Sequence, residues 1–370
     1  QLGLNYDIRS SDRFFWYTSP SWVMWNIQVC ALALGASIVC FDGSPTFPDP
    51  SAMWALLSQL QVTVFGTSPG QLVASEKAAV HPRRDFDLSG LRVMDSTGAP
   101  LSEHSHHWAQ REVGGIPLWS GSGGTDVAGG FCGGSPTVAV WPGEISVRLL
   151  GVAMDAWNDL GESVIGEVGE LVVTRPMPSM PTRFWNDPDG SRYRDAYFST
   201  FPGVWRHGDW ITITDRGSVV IHGRSDSTLN RNGVRMGSAD IYAALEALPD
   251  IADSLVVGVD EPGGGYWMPL FVVLTGAREL DQDLQRRIRS AIRDNASPRH
   301  VPDEIIQVDG IPRTRTGKKL EVPIKRILRG EALSIAVSLD AVADAKLLDK
   351  FTALAADRAR PTSVVSPGQL

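Results

Sequence analysis

HGDWITITDRGSVVIHGRSDSTLNRNGVRMG, residues 207–237, decides how this chain is divided. ITITD and SVVIHG are short runs of β-formers on either side of Arg216-Gly217, a turn pair, so they predict a hairpin. The polar residues that follow, Ser225 to Asn230, have side chains that bond to nearby backbone and favour turns, and no regular element tolerates them in its interior. They predict a hinge at Asp226. The Asp209 carboxylate offers acceptors for both hydroxyls of a vicinal diol such as a ribose, and Arg224 and Arg235 offer planar forks for oxygen or phosphate. A surface ion pair between Arg224 and Asp226 is the plainer reading of the same residues.

Upstream of this stretch, apolar runs alternate with helical segments. FFWYT (14–18), SIVCF (37–41), VTVFG (62–66) and LRVMDS (91–96) read as strands. Helices are predicted over about 22–34, 50–60, 69–79 and 102–113. That alternation predicts βαβ units and a parallel sheet, with a ligand beyond the carboxyl ends of the strands. Two loops fall there. One is Ser96-Thr97-Gly98-Ala99-Pro100. The other, residues 119–126, contains Gly124-Thr125-Asp126, where glycines admit backbone N–H groups to an anion and Asp126 is placed to hold Mg²⁺. A flexible surface turn is the alternative for this glycine loop. From about 141 to 220 the helical signal disappears and short strands dominate, with turns at Gly143, Gly166, Gly203 and Gly217.

Downstream, residues 238–248 predict a helix capped by Ser238. Strands are predicted over 254–260 and 268–275, a helix over 281–295, and a strand at EIIQVD. The loop 311–319 ends in Gly317-Lys318-Lys319, where a lysine after glycine reads as a mobile point charge, although by composition alone a solvated basic loop is the stronger reading. From Leu333 an Ala-rich helix runs into a frayed end. Together these predict an α/β chain. A large domain over 1–225 has a parallel-sheet α/β part to about 140 and a β-rich part over 141–225; a small α+β domain (226–330) and a helical tail (331–370) follow.

With 370 residues, 43% hydrophobic and 21% charged, the chain has ample material for two or three domains. Its net charge of −8 argues against nucleic acid as a partner. The longest apolar run, Val29 to Phe41, is broken by Gly35 and Ser37 and is too short to span a membrane. Three cysteines without a CxxC pair predict a reducing, cytoplasmic setting. His104, His106 and His107 lack a carboxylate placed as a base and read as a solvated helix surface. Trp16, Trp22 and Trp25 read as core, with a pocket lining as the alternative. The loop 119–126 lacks the third glycine of a dinucleotide fingerprint, and Gly317-Lys318 lacks the rest of a Walker loop.

The order Gly98-Ala99-Pro100, GGTD (123–126), WRHGDW (205–210), GRSDSTLNRNGVRMGSADIY (223–242) and IPRTRTGKKLEVPIKRIL (311–328) resembles the adenylate-forming acyl-CoA synthetases, or AMP-binding enzymes. The similarity covers nearly the whole chain, and five motifs in register are specific where each alone is not. The resemblance implies ligation through an acyl-adenylate, using ATP, Mg²⁺, coenzyme A and a small carboxylate such as acetoacetate. It implies that Gly98, Ala99 and Pro100 flank adenine, that Gly124 and Thr125 contact phosphate, and that Asp126 takes Mg²⁺. Asp209 and Arg224 would hold the ribose and Arg235 a phosphate; Trp22 would help close the acyl pocket. Asp226 matches the hinge of a mobile C-terminal domain, Gly233 lines the pantetheine tunnel, and Lys318 reaches the carboxylate and α-phosphate.

Two departures from the family pattern stand out. Position 126 is Asp where most members have Glu, and the Ser/Thr/Gly-rich phosphate loop that precedes the aromatic motif is missing together with the first subdomain. The opening at Gln1 therefore reads as a start inside a domain, and the 370 residues alone are expected to be inactive. Another adenylate-former and a non-catalytic nucleotide-binding remnant are the competing readings.

Overall fold

A computed structural model describes residues 1–225, 229–231, 234–261, 265–315 and 317–359. The chain divides into two compact units, Gln1–Ser225 and Asp226–Leu370.

The first unit begins with five parallel strands in the spatial order Ser37–Ile38, Arg13–Trp16, Val64–Thr67, Val93–Ser96, Leu118–Ser120. Strand periodicity separates their side chains into two layers. Phe15, Phe65, Met94 and Leu118 pack with Trp54 and Trp108 on one face. Phe14, Trp16, Val64, Val93 and Trp119 pack on the other. Gly66 is demanded by this packing, because a Cβ there would lie 1.9 Å from the Trp16 ring.

The edge strand is shorter than SIVCF predicts. Gln28, buried on the helix Val23–Cys30, accepts from Trp16 N–H (2.5 Å) and donates to Val39 C=O (3.0 Å). A side-chain amide thus takes partners that a longer ladder would use, and the strand stops at Ile38.

Beyond the parallel sheet, Ser122–Gly124 is a strand rather than a loop, paired antiparallel with Gly129–Gly133. A Cβ on Gly123 would lie 2.3 Å from the Gly129 carbonyl oxygen, so glycine here serves close backbone approach, not flexibility. A four-stranded antiparallel sheet follows, made of Met154–Trp157, Val168–Val173, Trp205–Ile213 and Val219–Arg224. Gly143, Gly166, Gly203 and Gly217 all have φ between +74° and +81°, as turn glycines do. The stretch read as helix-free contains one helix, Ser191–Tyr197. Local periodicity missed it because long-range groups hold it. The buried Asp187 carboxylate accepts from Arg192 and Tyr193 N–H (3.1 and 2.9 Å), and Tyr197 stacks on Trp205 at 3.5 Å.

The second unit has a three-stranded sheet in which Pro269–Leu274 lies between antiparallel Ile251–Val256 and parallel Glu304–Gln307. The helices Ser238–Glu246 and Gln282–Asn295 cover one face. The helices Glu321–Leu328 and Leu348–Ala359 cover the other, with Phe351 fully buried 4.7 Å from Phe271. The tail is broken rather than one helix: Leu333–Ala336 is followed by 3₁₀ turns before Leu348. Ser238 is not a cap. Gly237 holds that position, and the Ser238 hydroxyl donates to Glu321 Oε1 at 3.0 Å. Among the described residues, no helix is long and apolar enough to cross a membrane.

Candidate active site

In the first unit the site is assembled at the carboxyl ends of two neighbouring parallel strands. Val93–Ser96 leads into Thr97-Gly98-Ala99-Pro100, and Leu118–Ser120 leads into Gly121. The two loops are tied together: Gly121 N–H donates to Ser96 C=O (2.9 Å), and the Thr97 hydroxyl donates to Gly121 C=O (2.7 Å). Gly98 has φ +96°, and a Cβ there would sit 3.7 Å from the Trp22 indole, which stands beside this exposed loop half-buried. Trp16, in contrast, is core, and Trp25 is half-buried.

Asp209 and Arg224 face each other across the antiparallel pair Trp205–Ile213 and Val219–Arg224. Arg224 Nη1 lies 3.3 Å from Asp209 Oδ1 and donates to His207 C=O at 3.2 Å. The strand is not regular here. Gly208 has φ +90°, and the space its Cβ would take is filled by Arg224 Nη2, 2.7 Å away. The His207 ring packs edge-on to Phe131 at 4.5 Å, approaches Asp209 Oδ2 at 3.7 Å, and fills the space beside Gly124, whose Cβ would lie 2.9 Å from His207 Cε1. His207 therefore joins the GGTD segment to Asp209, a role that residue type and motif order do not reveal.

Thr125 and Asp126 are exposed at the turn between Ser122–Gly124 and Gly129–Gly133. Asp126 Oδ2 accepts from the Tyr197 hydroxyl at 2.5 Å. Burial and the Asp126 carboxylate both push the Tyr197 hydroxyl above its ordinary range, so it remains a donor that orients the acid. Among the described residues no three His, Cys, Asp or Glu side chains gather as a metal cage. A single oriented carboxylate fits a cation of the Mg²⁺ type, which takes its other ligands from phosphate and water.

The three histidines of the helix Glu103–Glu112 differ from one another. His104 pairs with Glu76 (2.8 Å) and His107 with Glu103 (3.3 Å) at the surface. His106 is not solvated: it is buried, and its Nδ1 lies 3.2 Å from Gly143 N–H. Helical spacing turns this one ring inward under the turn that Gly143 makes.

Beneath the two loops lies a group that sequence reasoning missed. Asp95, buried at the end of its strand, accepts from Ser96 N–H (2.9 Å) and faces the hydroxyl of the partly buried Tyr6. Burial pushes its carboxyl up to about 7, against the Ser96 N–H and Tyr6 hydroxyl that favour the ionised form. Between its ordinary value near 3.8 and 7, the folded state keeps a proton that the unfolded chain releases. Stability therefore falls as pH rises through that window, by about 1.4 kcal/mol per pH unit. Asp95→Asn should remove this dependence, so the variant's gain in Tm over the parent is larger at pH 8 than at pH 5. Equal Tm differences at the two pH values would refute a buried proton at Asp95.

In the second unit, the described residues 311–315 and 317–319 pair with one another rather than forming a loose loop. Arg313 bridges Lys319, Thr314 N–H donates to Lys318 C=O (2.8 Å), and Lys318 N–H donates to the Thr314 hydroxyl (3.1 Å). Gly317 turns the chain at φ +88°. The Lys318 ammonium is exposed and has no ion pair among the described residues. Arg235 lies on Val234–Met236, its backbone opposite Asn230. Its side chain, Asp226 and Gly233 lie outside the described residues. Just before them Ser225 is anchored by Glu170 (2.9 Å), which pairs with Arg206 at 3.0 Å.

Two stretches that together cover most of the chain match models of one enzyme class, and the chain belongs to the AMP-binding enzymes. Residues 2–181 match the AMP-binding enzyme family, and 240–318 match the AMP-binding enzyme C-terminal domain. Within that class it is 45% identical over 330 residues to an acetoacetyl-CoA synthetase of Gallus gallus, a match covering 89% of this chain and 50% of that protein. It is 44% identical to the acetoacetyl-coenzyme A synthetase of Rhizobium meliloti (strain 1021), covering 94% and 53%. The solved acetoacetyl-CoA synthetase from Streptomyces lividans matches with a TM-score of 0.90 at 53% identity, covering 97% of this chain and 55% of that one. The chain thus spans about half the length of the curated relatives it matches.

Proposed function

We propose that this chain supplies the nucleotide-binding loops and the lysine-bearing C-terminal domain of an ATP-dependent acid–CoA ligase acting on acetoacetate. In the first half-reaction a carboxylate oxygen attacks the α-phosphorus of ATP, the bond to the β-phosphate oxygen breaks, and pyrophosphate leaves. In the second, the coenzyme A sulfur attacks the acyl carbon, the bond to AMP breaks, and the thiol proton passes to solvent.

Asp209 accepts from the ribose hydroxyls while Arg224 fixes its orientation. Gly98, Ala99 and Pro100 flank the adenine beside Trp22, which helps wall the acyl pocket. Gly124 and Thr125 donate to phosphate. Asp126, steered by Tyr197, is the residue that would hold Mg²⁺, whose charge offsets that of the phosphates. Lys318 meets the carboxylate and α-phosphate, and Arg235 contacts phosphate. The hinge at Asp226 carries the domain between half-reactions, and Gly233 leaves room for pantetheine.

One observation carries the reading: a buried carboxylate, Asp209, is braced by Arg224 and His207, and the same His207 ring packs against the GGTD segment. These contacts support a reading in which diol and phosphate recognition lie side by side in the first unit. The test is acid-dependent ATP–pyrophosphate exchange by the complete natural protein with acetoacetate, acetate, butyrate and 3-hydroxybutyrate. Acetoacetate should exceed the others by about tenfold or more, a barrier difference of about 1.4 kcal/mol. Exchange that is absent with acetoacetate, or faster with another acid, would overturn the assignment.

A further inference from the structure

The strand Ile251–Val256 carries an irregularity that decides where one carboxylate points. Its register against Pro269–Leu274 shifts between Ile251 and Asp253. In a regular strand Ile251 and Asp253 would share a face. Here Ile251 packs in the same cluster as Val256, while Leu255, two residues beyond Asp253, packs in the opposite cluster with Ile311, Leu320 and Ile324. The bulge therefore re-aims Asp253 to the face that carries the lysine hairpin.

There the carboxylate closes both legs of that hairpin. Asp253 Oδ2 accepts from Arg313 Nη2 (2.7 Å) and Nε (3.3 Å), and Oδ1 lies 3.4 Å from Lys319 Nζ. Arg313 continues the connection to the tip, since its Nη1 donates to Gly317 C=O at 2.6 Å, the peptide immediately before Lys318. Lys319 is held from its other side as well, with Nζ 3.6 Å from the centre of the Tyr242 ring. That ring is fixed by its hydroxyl, which donates to Glu321 Oε1 (2.7 Å) and accepts from Val256 N–H (3.2 Å). Burial opposes the charge on Asp253, yet Lys319 and Arg313 overcome it and hold the carboxyl below its ordinary value. Two adjacent lysines thus do different work, Lys319 locked in the base and Lys318 presented at the tip.

We propose that Asp253 is a positioning residue for adenylate formation, acting through Arg313 and Lys319 to set the hairpin that presents Lys318. The proposal rests on the functional reading above, in which Lys318 serves the first half-reaction. A clamp that acts only through Lys318 has a signature that a general structural role lacks: its removal costs nothing further once Lys318 is gone.

The experiment is a double-mutant cycle in the complete natural protein. Asp253→Asn should lower acetoacetate-dependent ATP–pyrophosphate exchange about tenfold or more, and leave thioester formation from supplied acyl-adenylate within about twofold. In a Lys318→Ala background the same change should lower exchange no further. Losses that multiply across the cycle, or that fall equally on both half-reactions, would overturn the proposal. Arg313→Lys, which keeps the charge beside Asp253 but loses the fork to Gly317, should show the same asymmetry if Asp253→Asn does not fold. Amide hydrogen exchange of the 313–319 peptide separates this inference from the functional reading. It should accelerate about tenfold in either variant, and unchanged protection removes the clamp whatever the enzyme's activity. A parent protein without exchange toward any acid, but with a hairpin that loosens on Asp253→Asn, would refute the ligase reading alone.

Discussion

Replacing Lys318 with alanine in the complete protein should reduce acetoacetate-dependent adenylation by about a hundredfold or more while thioester formation from supplied acyl-adenylate stays within a few-fold of the parent. In the proposed first half-reaction two anions, a carboxylate and an α-phosphate, must approach each other. A preorganised cation at that point is worth about 3 kcal/mol in transition-state stabilisation. Only the first half-reaction needs it, because the acyl-adenylate attacked in the second carries its carboxyl group already neutralised as a mixed anhydride. Lys318 suits this role because its ammonium is exposed and unspent on any ion pair among the described residues, while backbone bonds to Thr314 hold its position on the hairpin. The substitution removes no buried contact, so the Tm should be unchanged. Single-turnover measurement of each half-reaction decides the matter, and equal losses in both would rule out this role.

The second large effect is expected at Asp209. Asp209→Asn keeps the shape of the side chain but replaces one acceptor oxygen with a donor and removes the charge. A hydrogen bond to a charged group is worth about 1.5–3 kcal/mol, so AMP binding measured by calorimetry should weaken by about 10- to 100-fold. The same change removes the carboxylate charge that lies 3.3 Å from Arg224 Nη1. Binding of 2′,3′-dideoxy-AMP, which has no diol to offer, should consequently be weak to the parent and nearly insensitive to the substitution. A variant that is folded, as judged by an unchanged near-ultraviolet spectrum, and binds AMP normally would remove Asp209 from the site.

Much of this architecture could be read from the chain alone, because the signals are local. Strand and helix alternation over residues 12–113 follows from periodicity, and the hairpin around Gly217 places Asp209 opposite Arg224 across a separation of 15 residues. Where a side chain at long sequence distance intervened, local reading failed. Gln28 ends the edge strand by bonding Trp16 and Val39. Asp187 and Trp205 create a helix in a stretch whose periodicity predicts none. The inward turn of His106 depends on the Gly143 turn, 37 residues away.

The site divides in the same way. Residue type, together with the family resemblance that motif order carries, nominates Gly98, Thr125, Asp126, Asp209, Arg224 and Lys318 as candidates, since a diol, a phosphate and a crowded pair of anions each demand particular chemical groups. Only the tertiary structure supplied what orients them. Tyr197 steers Asp126 from 71 residues away, His207 sits between Gly124 and Phe131, and a single bulge turns Asp253 toward the lysine hairpin. Hydrogen-bonding capacity belongs to a residue and is legible in sequence. Which donor meets which acceptor depends on packing between distant segments, where one extra residue in a strand reverses the face on which a carboxylate appears.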